Sequence, residues 1–278
     1  MTAGSDLDLI VLYDFDEDAA ASDGKRPLPP ALYFTRLTQR LISAISAPTA
    51  EGKLYPVDLR LRPSGKSGPL ATHFEAFAAY QANDAWTWEH MALTRARAVA
   101  GDAALRKRAT DEIARIIRLK REPAKVSADV SDMRATVEQE KGGKGRWDLK
   151  QAPGGLVDIE FVAQWLQLIA AADHPEIVST DTETVLTAAA RTGLLTAADA
   201  DVLLPAHALL ASLLQILRLC VDEIFDPAAA PAPLLKRLAE AADMPDFRAL
   251  DAHVRATQAA VRVSVERLIG KLPARQPV

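Results

Sequence analysis

The chain has one cysteine, Cys220, among 278 residues, so it cannot form an internal disulfide. That fits a reducing compartment, and a cytoplasmic location is expected. Cys220 sits in the apolar run Leu213 to Val221 and reads as a buried, inert thiol. The basic start and cleavage site of a secretory leader are absent. No apolar run approaches the ~18 residues that span a bilayer, so no membrane partner is expected. Nor is there an excess of positive charge: 33 Lys and Arg stand against 37 Asp and Glu, a net charge of −4. A nucleic-acid partner is therefore not expected. Five histidines lie scattered without ligand-like spacing, which argues against a zinc site. No nucleophile with an adjacent base stands out, which argues against covalent hydrolase chemistry. Gly65-Lys66-Ser67 is not a Walker A loop, because Arg60 occupies the position where that loop needs its first glycine.

What the chain does have is core-forming material and one dense acidic motif. Hydrophobic residues make up 49% and charged residues 25%, ordinary values for a globular chain of one or two domains. Near the start lies Gly4-Ser5-Asp6-Leu7-Asp8, followed by the apolar run Leu9-Ile10-Val11-Leu12-Tyr13. In a strand, side chains at i and i+2 share a face, so Asp6 and Asp8 point together after a Gly-Ser turn. Such a pair suits Mg²⁺, which takes oxygen ligands from one or two carboxylates plus substrate phosphates. The plainer alternative is a strand with a solvated acidic edge.

A second segment, Leu54-Tyr55-Pro56-Val57-Asp58-Leu59-Arg60-Leu61-Arg62-Pro63, alternates. Val57, Leu59 and Leu61 take one face and Asp58, Arg60 and Arg62 the other. Three carboxylates from two strands with arginines nearby suit two-metal phosphoryl transfer, in which the ions sit about 3.5–4 Å apart. Arginine's planar fork matches phosphate. An amphipathic strand with a charged outer face remains the alternative. The Ser64 to Gly68 loop closes over a triphosphate with Lys66 as counter-charge, or is a simple turn. The aromatic group Phe74, Phe77, Tyr80, Trp86 and Trp88 reads as core rather than as an adenine platform. Asp148, Lys150, Asp158 and Glu160 read as contacts to a protein partner or as the lining of an inter-domain cleft; helix capping and solvated pairs explain Asp148 and Asp158 nearly as well.

Periodicity organises the rest. Asp6 to Tyr13 and Leu54 to Leu61 read as strands, with a helix over Ala31 to Ala47 between them. Beyond Pro69 strand signals vanish. Helices are expected over His73 to Ala82, Asp84 to Ala100, Ala103 to Lys120, Val126 to Glu140 and Gly155 to Ala172. Asp181-Thr182-Glu183-Thr184 offers a capping start, and Gly193 a stop. Thr196 to Val221 and Phe247 to Leu272 follow as long helical segments, with Pro227 to Pro233 as a linker. The reading is α+β: a catalytic α/β region over 1–100 and an all-α bundle over 101–278.

Gly4-Ser5-Asp6-Leu7-Asp8-Leu9 resembles the signature of polymerase-β-like nucleotidyltransferases. The longer strings Met1 to Leu9 and Val57 to Leu70 resemble the glutamine synthetase adenylyltransferases. So do Trp88-Glu89-His90-Met91-Ala92-Leu93-Thr94-Arg95-Ala96-Arg97, Asp148-Leu149-Lys150 and Gly154-Gly155-Leu156-Val157-Asp158-Ile159-Glu160-Phe161-Val162-Ala163-Gln164. The resemblance implies a partial polymerase-β-like core followed by a helical domain like that of PII uridylyltransferases. It implies transfer of AMP from ATP to a tyrosine hydroxyl of glutamine synthetase, with Mg²⁺ held by Asp6, Asp8 and Asp58. Gly4, Ser5, Arg60, Arg62 and Lys66 would bind the nucleotide. The family carries an AMP-adding and an AMP-removing half, and Thr-Ala-Gly-Ser-Asp favours the adding one. The alternatives are the removing half, a PII uridylyltransferase-like enzyme, or an inactive fragment that docks on glutamine synthetase or the PII signalling protein. The family's Gly-rich turn lies about ten residues before the Asp pair, whereas this chain starts five residues before Asp6. The first core strand is therefore expected to be missing.

Overall fold

A computed structural model of the chain describes residues 6–16, 18–52, 55–142, 145–221 and 225–273. Contacts divide it into two units, Met1–Ala92 with Arg97–Ile116, and Leu93–Ala96 with Ile117–Val278. It is mostly helical, with small parallel strand pairs in the first unit.

In the first unit the run after Asp6 forms two short strands rather than one, β1 (Leu7–Asp8) and β2 (Val11–Tyr13). They take different partners. β1 pairs in parallel with β3 (Val57–Asp58), and β2 with β4 (Ala71–His73). β4 corrects the expectation that strands end before Pro69; three residues, Ala-Thr-His, are too few to show a period. β3 is shorter than the expected Leu54 to Leu61. Asp58 Oδ1 accepts the Arg60 amide at 2.8 Å, an Asx-type turn that lifts the backbone out of the strand. The alternation expected through Arg62 therefore stops at Asp58.

Helix α1 (Pro30–Ser46) starts with proline in its first turn and ends before Pro48, both positional preferences of that ring. Its Phe34 stacks on Tyr13, ring centroids 4.5 Å apart, which docks the helix on β2. Helix α2 (Phe74–Asn83) buries Phe74, Phe77 and Gln81, a helical stripe. Helices α3 (Thr87–Leu93) and α4 (Ala103–Ile117) follow. Of the aromatic group expected in the core, Phe74 and Phe77 are buried, but Trp86 is 70% exposed.

The second unit is a helical bundle: α5 (Pro123–Lys141), α6 (Leu156–Ala170), α7 (Thr182–Arg191), α8 (Ala197–Cys220), α9 (Ala232–Ala241) and α10 (Phe247–Leu268). Side-chain caps start three of them: Asp181 accepts from Thr184 N, Thr196 from Asp199 N, and Asp246 from Ala249 N. α9 begins inside the segment read as a linker, because proline suits a helix's first turn as well as a loop. The core comes from helical stripes such as Leu203, Leu210, Leu213 and Leu217 of α8 against Leu250, Val254, Val261 and Val265 of α10.

Two expectations about α8 are corrected. Cys220 is exposed, not buried: it closes the helix one residue after Leu219, which is 78% exposed, while Leu217 turns inward. And α8 is long and apolar enough, by length and composition, to cross a membrane, although it packs against α7 and α10. An apolar core helix meets the same two criteria.

Asp158, read as a partner contact or a cap, is instead fully buried at the start of α6. Its carboxylate accepts Arg134 Nε, the Gly154 amide at 2.6 Å and Arg262 Nη1 at 3.3 Å. Glu138 shares Arg262 at 3.0 Å. Burial works against the Arg262 charge, yet Asp158 and Glu138 hold its pKa above the ordinary value. Gly154 is required at its position: its φ is +75°, and a Cβ would lie 1.9 Å from the Gln258 carbonyl oxygen. Glu160 pairs with Arg95 at 3.1 Å.

Candidate active site

The parallel pairing of β1 and β3 sets Leu7 opposite Val57 and Asp8 opposite Asp58. Leu7 N donates to Pro56 O and Leu9 N to Asp58 O, both at 2.8 Å, which fixes this register. Neighbouring strands lie about 4.8 Å apart, so registered carboxylates stand side by side on one face. Asp6, two residues before Asp8, continues that face on the strand period and is exposed.

Arg60 stands over these carboxylates. Its Nε donates to Asp58 Oδ2 at 2.6 Å and its Nη2 pairs with the same oxygen. The Arg60 side chain is 68% exposed and that of Asp58 15%. The hydrogen bond and charge of Arg60 outweigh burial and hold the Asp58 carboxyl below its usual range. Asp58, Asp8 and Asp6 all raise the Arg60 pKa, so the guanidinium lies in the field of all three. It is a built-in cation where the sequence suggests a metal ion. Among the described residues no three His, Cys, Asp or Glu side chains are gathered as for a bound metal ion. The backbone supplies the acidic face, and a guanidinium occupies Asp58.

The other expected residues part company. Arg62 is 8% exposed and turned into its own loop. Its Nη1 donates to Leu59 O at 2.7 Å, Nε to Gly68 O at 3.1 Å, and Nη2 to Lys66 O at 3.2 Å. Lys66 lies in the 3₁₀ turn Gly65–Ser67, and its charge also lowers the Asp58 pKa. Gly4 and Ser5 lie outside the described residues.

Sequence reasoning missed the support beneath this loop. The Tyr80 hydroxyl donates to Glu89, 3.0 and 3.1 Å from its two oxygens, and Glu89 Oε2 accepts the Trp86 amide at 2.9 Å. The Ser64 amide lies near enough to the Tyr80 oxygen to favour its ionised form. Burial, with Glu89 adding to it, pushes the Tyr80 phenol up against the opposing Ser64 amide. Glu89 is 5% exposed, and its only sequence signal is its place in the Trp88 to Arg97 string. A further cluster lies at the ends of β2 and β4, where Asp14 binds His73 at 3.2 Å and also Arg108. Arg108 reaches Glu75 at 2.8 Å and covers the Phe74 ring.

Residues 1–112, which carry the acidic face and its loop, match the family described as glutamate-ammonia ligase adenylyltransferase. Residues 131–269 match the family described as GlnD PII-uridylyltransferase. Over 270 residues, 97% of this chain, the sequence is 52% identical to a protein from Rhodopseudomonas palustris. It is 54% identical over the same share to one from Xanthobacter autotrophicus. Over 262 residues, 94% of the chain, it is 54% identical to one from a Bradyrhizobium strain. All three are named bifunctional glutamine synthetase adenylyltransferase/adenylyl-removing enzyme.

The chain belongs to the glutamate-ammonia ligase adenylyltransferase family.

It spans 27% of the length of these relatives. The adenylyltransferase match covers Asp6, Asp8, Asp58, Arg60, Arg62 and Lys66, and also Tyr80 and Glu89. The second match covers α6 to α10 and with them the buried Asp158.

Proposed function

We propose that this chain transfers AMP from ATP to a tyrosine hydroxyl of glutamine synthetase. The observation that carries the reading is the register of Asp8 with Asp58, with Asp6 on the same face and Arg60 as a cation in their field. In this reading the first unit is the nucleotidyltransferase core of polymerase-β type, and the helical unit is the domain shared with PII uridylyltransferases. The enzyme is cytoplasmic.

Asp6, Asp8 and Asp58 would hold Mg²⁺. Held there, Mg²⁺ would supply positive charge to the triphosphate and to the attacking hydroxyl. The phenolic oxygen attacks the α-phosphorus in line, the bond to pyrophosphate breaks, and the phenolic proton leaves to solvent. Arg60, displaced from Asp58 by the incoming charge, turns its fork to the phosphate oxygens. Lys66 supplies a second positive charge, whose field reaches Asp58. Gly4 and Ser5 offer an amide and a hydroxyl to the phosphates.

The test combines the purified chain, Mg²⁺, α-labelled ATP and unmodified glutamine synthetase. Label on glutamine synthetase that disappears in Asp6→Asn supports the reading. Label retained in that variant removes the metal assignment. The relatives' bifunctional name favours a second reading, AMP removal. Phosphate-dependent release of ADP from adenylylated glutamine synthetase would identify it. The match to PII uridylyltransferases makes PII a candidate partner, and preference for UTP would mark that chemistry.

A further inference from the structure

The loop that carries Lys66 is held in a conformation it would not keep alone. Ser64 has φ 60° and ψ 17°, and Gly65 follows at φ 52°, so two successive residues are left-handed. Serine has a Cβ and rarely adopts this region without restraint. Restraint comes from both sides. Arg62 directs three donors at the carbonyls of Leu59, Lys66 and Gly68, which ties the turn after β3 to the far end of the loop. On the other side lies Tyr80, whose hydroxyl feels the Ser64 amide and donates to Glu89, itself nearly buried. A guanidinium so buried and so bonded presents its fork to the backbone, whereas Arg60 presents its own at the surface.

We infer that Arg62 is a positioning residue: through the backbone of Ser64 to Gly68 it sets the turn that presents Lys66 to the nucleotide phosphates, with Tyr80 and Glu89 as its counterpart. This deepens the proposed function and rests on it. It also separates two arginines that the sequence treats alike. Arg60 acts on charge directly, and Arg62 acts through Lys66.

The experiment uses the full chain as Arg62→Gln, Lys66→Ala, the double variant and Tyr80→Phe. Amide exchange is read first, without nucleotide. The Ser67 and Gly68 amides donate to Ser64 and Gly65 carbonyls, so they report the loop. In Arg62→Gln they should exchange about 10-fold faster, while the Leu7 and Leu9 amides of the β1 and β3 ladder keep their rates. Equal acceleration throughout, or none in the loop, overturns the positioning role. MgATP affinity is then measured by calorimetry. Arg62→Gln and Lys66→Ala should each weaken it about 10-fold, with the double variant no weaker than either. Tyr80→Phe should show a smaller loss of the same kind. Additive losses, about 100-fold in the double variant, would mean that Arg62 contacts nucleotide itself and overturn the inference. Failure of the native chain to bind MgATP overturns the functional reading, a result distinct from unchanged loop exchange in Arg62→Gln.

Discussion

Two aspartate–arginine pairs in this chain share their chemistry and differ in their surroundings. Asp58 and Arg60 meet at the surface of the first unit, and the arginine side chain is 68% exposed. Asp158 and Arg134 meet inside the helical unit, where the side chains are 0% and 1% exposed. The exposed pair is flanked by more acid and open to solvent, so under the proposed function its arginine would turn to the nucleotide while Mg²⁺ takes its place. The buried pair is closed by Arg262, the Gly154 amide and the Gln151 carbonyl, and exchange would strand a charge in the core. Burial decides which pair is free to exchange partners and which is a fastening.

The comparison breaks most visibly at Asp158. Asp158→Ala leaves the buried Arg134 and Arg262 with only the Glu138 carboxylate between them. It should cost the helical unit about 3–5 kcal/mol, read as a drop in its denaturant midpoint. Replacing Arg134 and Asp158 together by apolar residues of similar volume should recover most of that loss. Full stability in the single variant would show that the buried cluster fastens nothing.

Asp8→Asn should do the reverse. Transfer should fall by at least about 100-fold, because one oxygen donor on the acidic face becomes neutral. The melting midpoint should stay within a degree or two, since the residue is exposed and Asn keeps its size and shape. Coupled losses of transfer and stability would make Asp8 structural, like Asp158.

Asp181 lies between the extremes, an exposed carboxylate with a structural task. The Thr184 hydroxyl and amide hold its carboxyl below the usual range by capping α7. Asp181→Ala should cost about 1 kcal/mol at neutral pH. A depressed folded-state pKa gives stability that is complete above the unfolded value, about 3.9, and is lost as pH falls through the folded value. The gap between native and variant should therefore close below about pH 4 in acid unfolding curves.

The smallest effect is expected from Arg60→Ala. Removing this guanidinium should leave the melting midpoint unmoved and let the Asp58 carboxyl titrate at higher pH, followed by carbon NMR of the side chain. An Asp58 titration unchanged by the substitution would mean that the surface pair is incidental.

The legible parts of this fold are those with a period. Asp6 and Asp8 share a face because strands repeat every two residues, and α8 and α10 declare themselves through long apolar stripes. The Asp181 cap was visible because a side-chain oxygen three residues before a free amide is a local arrangement. What stayed hidden is set by partners distant in sequence. Nothing near Asp158 announces that Arg262 will reach it. Nothing in Arg60-Leu61-Arg62 separates a surface guanidinium from one folded into its own loop; that follows from the Asp58 side chain turning the backbone two residues earlier. Glu89 looked like one residue of a resemblance string, and its role under Ser64 depends on Tyr80 from another helix. Cys220 misled because an apolar run does not tell which residue of the last helical turn faces outward.

The sequence separations within the buried cluster also set an order in time. Asp158 lies 24 residues after Arg134 but 104 residues before Arg262. At about 5–20 residues per second, Arg262 leaves the ribosome roughly 5–20 s after Asp158 does. In that interval α5 and α6 can pair and neutralise the carboxylate, because Arg134 is already present. The Arg262 bond to Asp158 and the close approach of Gln258 to Gly154 have to wait for α10. Within the buried cluster, therefore, the Arg134–Asp158 pair can form early in synthesis, whereas the Arg262 contact becomes possible only once α10 has been made.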